Sequence, residues 1–168
     1  MTSKPSSYQP PANQRELVLA WLRRARESQM VHYEMANLLS TRGRWLGVPV
    51  IFITTVIGTS VFASLSSVEI TPVAKIMVGS LSVIAAVLSS LQTFFKYSER
   101  AEKHRSTAAR FGAIRRKLEI LYADQSDIAE KHYLDSLREE LDQLSDESPH
   151  VPVSVFERIQ KNIFYTGE

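Results

Sequence analysis

Two uncharged stretches of sequence decide the fold, Trp45–Val68 (WLGVPVIFITTVIGTSVFASLSSV) and Ile76–Phe95 (IMVGSLSVIAAVLSSLQTFF). The 20 Lys and Arg and the 18 Asp and Glu of this 168-residue chain all lie outside them. As helices rising 1.5 Å per residue, the two stretches would reach about 36 Å and about 30 Å. The hydrocarbon core of a bilayer is about 30 Å thick, so the sequence predicts two membrane-spanning helices, hereafter the first span and the second span.

The alternative is a pair of buried helices inside a soluble bundle. Uninterrupted apolar runs in core helices are usually about 10–14 residues long, shorter than either stretch. A chain of 168 residues also has too few remaining residues to cover two such helices on all sides. The length of the stretches therefore favours the membrane interpretation.

The connector between the spans, Glu69–Lys75, contains Pro72 and suits a tight link between antiparallel helices. Basic residues concentrate beyond the outer ends of the hairpin, where nine lie within 20 residues of the spans, whereas the connector has Lys75 alone. The nine are Arg26, Arg42, Arg44, Lys96, Arg100, Lys103, Arg105, Arg110 and Arg115. Because Lys and Arg are retained on the cytoplasmic side, both termini are predicted to be cytoplasmic.

Outside the hairpin of residues 45–95, the chain divides into three predicted segments. Residues 1–12 carry three of the seven prolines and are predicted to be a disordered tail. Residues 13–44 are predicted to form a cytoplasmic helix that opens with Asn13 and Glu16 as a capping box. Residues 96–168 are predicted to form a C-terminal cytoplasmic helical region, and all segments together constitute one domain.

The predicted fold class is all-α, a two-helix transmembrane hairpin joined to a cytoplasmic helical bundle. No helix breaker follows the second span until Asp124, so that span is predicted to continue unbroken into a long cytoplasmic helix. A turn at Asp124–Asp127, a helix that ends before Pro149 and a last helix that opens at Pro152 complete the chain. Apolar residues recur through these segments at three- and four-residue spacing, which is typical of helices packed in a bundle.

Composition excludes several kinds of site. The chain has no cysteine, so it can form no disulfide, thiolate nucleophile or cysteine-based zinc site. It also has no glycine-rich phosphate-binding motif and no evident Ser-His-Asp or paired-carboxylate arrangement. Its net charge of +2 gives little support to nucleic-acid binding. We therefore expect no enzyme activity, no cofactor and no nucleic-acid partner.

Two of the four histidines, His32 and His104, lie on the helices that enter and leave the membrane and could meet. With Glu99 or Glu102 they could form a metal site, but a partly buried, hydrogen-bonded histidine is the favoured interpretation. The other two histidines are expected at the surface.

One face of the second span is made of small and hydroxyl-bearing residues. Projection at about 100° per residue places five of them within about 60° of one direction, with Lys96 at the predicted cytoplasmic mouth. They are Gly79, Ser82, Ala86, Ser89 and Thr93. Bulky side chains, including Ile84 and Leu91, face the other way. The five residues are therefore candidates either for lining a pore or for close helix packing.

Each interpretation of this face leads to a different function. Hydroxyl groups can coordinate water and ions without a buried charge, and the absence of charged residues at membrane depth argues against a proton-coupled transporter. One hairpin cannot enclose a pore, so conduction would require a homo-oligomer. The alternative function is a non-conducting membrane anchor or scaffold whose cytoplasmic helices recruit a partner protein.

Four stretches of the chain together form a recognisable pattern. The first span opens with Leu46–Ile51 (LGVPVI), and the second closes with Leu91–Phe95 (LQTFF). The helical segment Ala101–Glu119 follows, and Ser148–Pro152 (SPHVP) precedes Phe156. With these stretches the chain resembles the SLATT domain, a family of two-transmembrane effector domains that has a long cytoplasmic helix and a late proline-containing stretch at the corresponding places.

The resemblance, which runs from about residue 15 to about residue 165, implies a membrane effector of bacterial anti-phage conflict systems that is thought to open a pore. Such effectors are typically encoded beside nucleotide-second-messenger synthases or nucleotide sensors and are triggered during infection. The resemblance thus implies a location in the bacterial inner membrane and a separate nucleotide-sensing or nucleotide-synthesising protein. It carries no catalytic residue over to this chain.

Overall fold

Five helices make up the described part of the chain. The computed structural model describes residues 9–64, 71–124 and 131–166, so most of the predicted tail, the start of the connector and most of the predicted Asp124–Asp127 turn lie outside the described residues. The helices are α1 (Gln14–Ser64), α2 (Pro72–Phe95), α3 (Tyr97–Ala123), α4 (Lys131–Glu147) and α5 (Val153–Thr166). No strand occurs within the described ranges, and the predicted all-α fold is confirmed.

Helix α1 begins at the predicted capping box. The Glu16 backbone N–H donates to Asn13 Oδ1 at 2.9 Å, and the Glu16 carboxylate accepts from the Asn13 side-chain amide at 3.1 Å. The same carboxylate accepts from the Ala12 backbone N–H at 2.8 Å. These bonds satisfy N–H groups that have no partner inside the helix, which stabilises its first turn.

Helix α2 begins earlier than the predicted second span, at Pro72 rather than Ile76. The Thr71 hydroxyl oxygen caps it by accepting from the Ala74 backbone N–H at 3.4 Å. Pro72 occupies the first helical position, where a missing N–H removes no intrahelical bond and the fixed φ suits the helix. The helix therefore includes part of the predicted connector.

Helix α3 follows α2 directly, as predicted, but the two are not one unbroken helix. Lys96 separates them with a left-handed backbone, φ 46° and ψ 41°. The Lys96 N–H still donates to the Gln92 carbonyl at 3.3 Å, and the Arg100 N–H donates to the Lys96 carbonyl at 3.0 Å. The interruption is therefore one residue wide. No glycine or proline signals it in the sequence, and the conformation costs an L-residue about 1–2 kcal/mol.

The chain forms two compact units. The bundle unit comprises Met1–Glu34 and His104–Glu168, and the hairpin unit comprises Met35–Lys103. The core of the bundle unit joins residues of α1, α3 and α4. Its buried apolar members are Val18, Ala25, Phe111, Ile114, Leu118, Leu137, Leu141 and Leu144.

Two ion pairs connect α3 to α4 at the surface of the bundle unit. Arg110 Nη1 lies 2.7 Å from Glu147 Oε2, and Lys117 Nζ lies 2.7 Å from Glu140 Oε2. Exposed pairs of this kind contribute little to stability, because water solvates both charged groups well whether or not they are paired. The apolar core therefore supplies most of the stability of this unit.

Two glycines allow close approach of the helices in the hairpin unit. A Cβ added to Gly47 would lie 3.3 Å from Gln92 Nε2, and one added to Gly43 would lie 3.2 Å from Tyr97 Cβ. The start of the first span therefore lies beside the end of the second span, as expected for an antiparallel hairpin.

The apolar surface of the hairpin unit is exposed. No side chain described between Trp45 and Phe62 is buried, and Ala85 alone is buried in α2. Helices in the core of a soluble protein would bury such side chains. The two helices are long and apolar enough to cross a membrane, so this surface belongs in a lipid bilayer.

Replacing Lys96 tests whether its left-handed conformation is strained. We expect Lys96→Gly to be more stable than Lys96→Ala by about 1 kcal/mol, because glycine adopts a positive φ without a steric penalty. Both variants lose the ion pair with Glu99, so their difference isolates the backbone. Thermal unfolding of the 168-residue chain in detergent measures the difference. At an ordinary helical position alanine is more stable than glycine. A Lys96→Ala variant more stable than Lys96→Gly would therefore contradict the left-handed conformation.

Candidate functional site in the second span

The five residues of the candidate site, hereafter the small-residue face, are all exposed on α2. They are Gly79, Ser82, Ala86, Ser89 and Thr93. A Cβ added to Gly79 would meet no atom within 4 Å. All five residues thus lie on one exposed face of α2, and no other part of the described chain covers Gly79.

Helix α2 uses a different stripe for its contacts within the hairpin unit. Ala85 is 5% exposed, and partly buried residues flank it at helical spacing. They are Ala74, Val78, Leu81 and Leu88. Ideal helical projection places this stripe about 100° from the small-residue face. The first span of the same chain therefore leaves that face uncovered, where it can meet lipid, water or a second copy.

Two of the three hydroxyl groups on the small-residue face donate their protons to the backbone of α2 itself. Ser82 Oγ donates to the Val78 carbonyl at 2.8 Å, and Thr93 Oγ1 donates to the Ser89 carbonyl at 3.1 Å. Each hydroxyl oxygen keeps lone pairs with which it can accept from water or coordinate a cation. These two side chains thus offer acceptors at membrane depth without leaving an unpaired donor there.

Lys96, the candidate residue of the cytoplasmic mouth, is exposed, and its Nζ lies 3.5 Å from Glu99 Oε2. Lys103 Nζ lies 3.5 Å from the other oxygen of the same carboxylate. The charge of Lys96, assisted by a hydrogen bond and the charge of Lys103, lowers the pKa of Glu99. This counter-charge was not predicted from the sequence, although charged residues at i+3 and i+4 spacing on a helix are a recognisable signal.

Gln92 carries the only side-chain amide of the two spans and was not predicted as a site residue. Its amide nitrogen lies against Gly47 of α1, whose missing Cβ leaves room for it. Within the described ranges this amide forms no side-chain hydrogen bond. An unpaired amide costs several kcal/mol in hydrocarbon. Gln92 therefore requires a partner beyond the described part of the chain, such as water or another molecule.

His32 and His104 meet in the bundle unit, as predicted. Their Nδ1 atoms lie 2.9 Å apart, and the two residues are 5% and 3% exposed. Phe111 stacks on His32 with ring centroids 5.7 Å apart. One proton fits between the two nitrogens, so one ring donates and the other accepts. Burial, followed by the charge of His104, lowers the pKa of His32 to about 4, so this ring is neutral at pH 7.

These observations define a class of protein, a helical membrane protein with two spans and an uncharged small-residue face on the second. The chain belongs to the SLATT family, because the family model described as SMODS and SLOG-associating 2TM effector domain family 4 matches residues 21–163. The match confirms the resemblance seen in the sequence and gives the chain the role of a membrane effector. No curated protein and no solved structure matches the chain.

The histidine pair predicts a loss of stability in acid. The pKa of His32 is lowered from 6.5 to about 4 in the folded chain, so the unfolded chain binds more protons between these values. Stability is then fully present above pH 6.5 and is lost as the pH falls toward 4, by at most about 3 kcal/mol. The thermal midpoint of the 168-residue chain in detergent, measured from pH 7.5 to about 4.5, reports this loss.

Two variants test whether the His32–His104 pair causes the loss of stability in acid. His32→Asn retains a hydrogen-bonding group near the position of Nδ1 but cannot titrate, so its thermal midpoint should fall less with acid than that of the unmodified chain. His132→Asn removes an exposed histidine of α4 and should leave the acid effect unchanged. Equal acid effects in the unmodified chain and in His32→Asn would contradict this account.

Proposed function

We propose that several copies of the chain assemble a pore in the bacterial inner membrane, with the small-residue face of α2 turned toward the conduction path. The observation that carries this proposal is the exposure of that face. Its residues are uncharged, small or hydroxylated, and α2 contacts its own unit through the Ala85 stripe instead. The face is therefore available to other copies and to water.

The chemistry of the face suits passage of water and ions. The Ser82 and Thr93 hydroxyl oxygens can accept hydrogen bonds or coordinate cations, while their protons remain on backbone carbonyls. At the end of the span, the charged side chains of Lys96, Glu99 and Lys103 favour a hydrated mouth. Since α2 is one helix, a closed path requires the same face from several copies.

Both termini are proposed to be cytoplasmic. The contacts of Gly43 with Tyr97 and of Gly47 with Gln92 support one common side for the two basic outer ends of the hairpin unit. The connector contributes only Lys75 on the other side, opposed by Glu69 in the sequence. The bias of Lys and Arg toward the cytoplasm then supports this orientation.

The proposed biological role is that of an effector in an anti-phage, abortive-infection system. The family description names association with SMODS and SLOG. We infer that a separate nucleotide-synthesising or nucleotide-sensing protein supplies the trigger, and that this chain acts without catalysis and without a cofactor. Opening of the pore would then collapse ion gradients of the infected cell.

A second candidate function is a non-conducting anchor or scaffold. The observation that favours it is the bundle unit, a compact unit with its own apolar core that could dock a partner protein. In this case the small-residue face serves only to pack copies together in the membrane. Replacing both spans with an unrelated hairpin would preserve the activity of an anchor and abolish that of a pore.

Leucine substitutions on opposite faces of α2 test the pore. Ser89 belongs to the small-residue face, whereas Ser80 lies on the bulky face, about 180° from Ser89 by ideal projection, and both are exposed. We expect Ser89→Leu to reduce flux from liposomes at least about tenfold, because a bulky apolar side chain would dewet the path. Ser80→Leu should leave the flux unchanged.

The measurement is ion or dye release from liposomes that contain equal amounts of each 168-residue variant, with and without candidate nucleotides and the proposed partner protein. Equal flux from Ser89→Leu and Ser80→Leu would exclude this face as the conduction path. Absence of flux from the unmodified chain under all these conditions would exclude the pore and leave the anchor.

A further inference from the structure

A groove of about 420 Å³, hereafter the Arg44 groove, runs along α1 in the hairpin unit. In the described part of the chain it is lined by Thr41, Arg44, Trp45, Val48 and Pro49. Spacings of three and four residues place them on one side of the helix. They lie where the charged segment of α1 gives way to the uncharged first span. The groove is therefore located at the boundary between headgroups and hydrocarbon.

The Arg44 groove changes from polar to apolar along its length. At one end, Arg44 Nη2 donates to Thr41 Oγ1 at 3.4 Å. No carboxylate among the described residues pairs with this guanidinium. Trp45 and Val48 follow, 77% and 63% exposed. One turn deeper, Phe52 is 71% exposed on the same side and extends the apolar surface to about 12 Å from Arg44.

Two polar groups of Trp45, its backbone carbonyl and its indole N–H, lie beside this apolar surface with incomplete hydrogen bonding in the described ranges. A proline has no N–H, so the Trp45 carbonyl lacks the hydrogen bond that residue 49 would otherwise donate. The indole N–H of Trp45 finds no acceptor in the described ranges. Tryptophan at a membrane interface usually satisfies this N–H at the level of the headgroups. An oxygen-rich group bound beside Arg44 would serve both the guanidinium and the indole.

The occupant of the groove must combine a negative charge with an apolar chain. The planar guanidinium of Arg44 matches the oxygens of a phosphate group, and the Thr41 hydroxyl adds a second polar contact. Val48, Pro49 and Phe52 offer only apolar contacts. A free phosphate would be held by a single arginine and would leave most of the groove unused.

We propose that the Arg44 groove binds an anionic phospholipid, with its phosphate at Arg44 and Thr41 and an acyl chain along Val48 and Phe52. Because no carboxylate of the described residues pairs with the Arg44 guanidinium, this guanidinium selects a lipid of net negative charge over a zwitterionic one, whose own cation competes for the phosphate. The proposal requires that the chain spans a membrane and is independent of whether it conducts.

Quenching of Trp45 by brominated lipid tests the site. The chain has two tryptophans, so the variant Trp21→Phe leaves Trp45 as the only one and serves as the reference. It is reconstituted in phosphatidylcholine vesicles containing a small fraction of brominated phosphatidylglycerol or brominated phosphatidylcholine. We expect brominated phosphatidylglycerol to quench at about fivefold lower mole fraction, the effect of one basic residue at a membrane surface. Equal quenching by the two lipids would overturn the proposal.

Arg42 provides the matched control. It is exposed like Arg44 but lies about 160° from it around α1 and does not line the groove. In the Trp21→Phe background, Arg44→Gln should abolish the preference for phosphatidylglycerol, and Arg42→Gln should retain it. Equal losses in the two variants would show diffuse attraction to the surface charge and would overturn a site at Arg44.

Two further measurements test for an effect of Trp21→Phe on folding and for binding of a free phosphate group. Native mass spectrometry of the chain with Trp21 intact should show a retained phosphatidylglycerol that Arg44→Gln loses and Arg42→Gln keeps, which guards against an effect of Trp21→Phe on folding. Glycerol phosphate at millimolar concentration should not reduce the quenching. If it does, the groove recognises a free phosphate group and the proposal of a lipid is wrong.

Discussion

A polar group without a hydrogen-bond partner costs free energy in the hydrocarbon core of a membrane, and the fold of the chain depends on this constraint. It keeps every charged residue out of two stretches and requires helices there, because only a helix pairs its backbone within one segment. The same constraint reaches the side chains. The Thr54 and Thr55 hydroxyls of the first span and the Ser82 hydroxyl of the second all donate to carbonyls of their own helices. These hydroxyl groups thus lie at membrane depth with their protons already bound.

Features set by local periodicity could be predicted from the sequence. The gaps in charge locate the spans, the Asn13 and Glu16 pair locates the start of α1, and the spacing of Leu137, Leu141 and Leu144 locates the buried side of α4. Each depends on residues within one or two turns of each other, so the pattern is complete in the sequence. The composition of the small-residue face was predictable for the same reason.

Contacts between distant segments were not predictable in this way. Ala85 and Ala86 are identical neighbours about 100° apart on α2, yet only Ala85 is buried, because the fit of whole helices decides which side is covered. The left-handed Lys96 adjoins Tyr97, which lies against Gly43 more than fifty residues earlier in the chain. Local propensity gives no reason for such a conformation in lysine. The exposure of the small-residue face and the position of Gln92 likewise depend on how α1 and α2 meet.

The hydrogen bonds of Ser82 and Thr93 allow the small-residue face to contact either lipid or water, which suits an effector that is inactive until it is triggered. Because Ser82 and Thr93 bind their own protons to the backbone, their contact with lipid or with a second copy leaves no unpaired donor. A face of charged or amide groups would need water at all times and would favour a permanently hydrated path. Gln92 lies outside the small-residue face, in the direction of Gly47. In the proposed pore, a hydroxyl face on α2 would therefore suit both a dry resting assembly and a hydrated open one, so a modest signal could shift the balance between them.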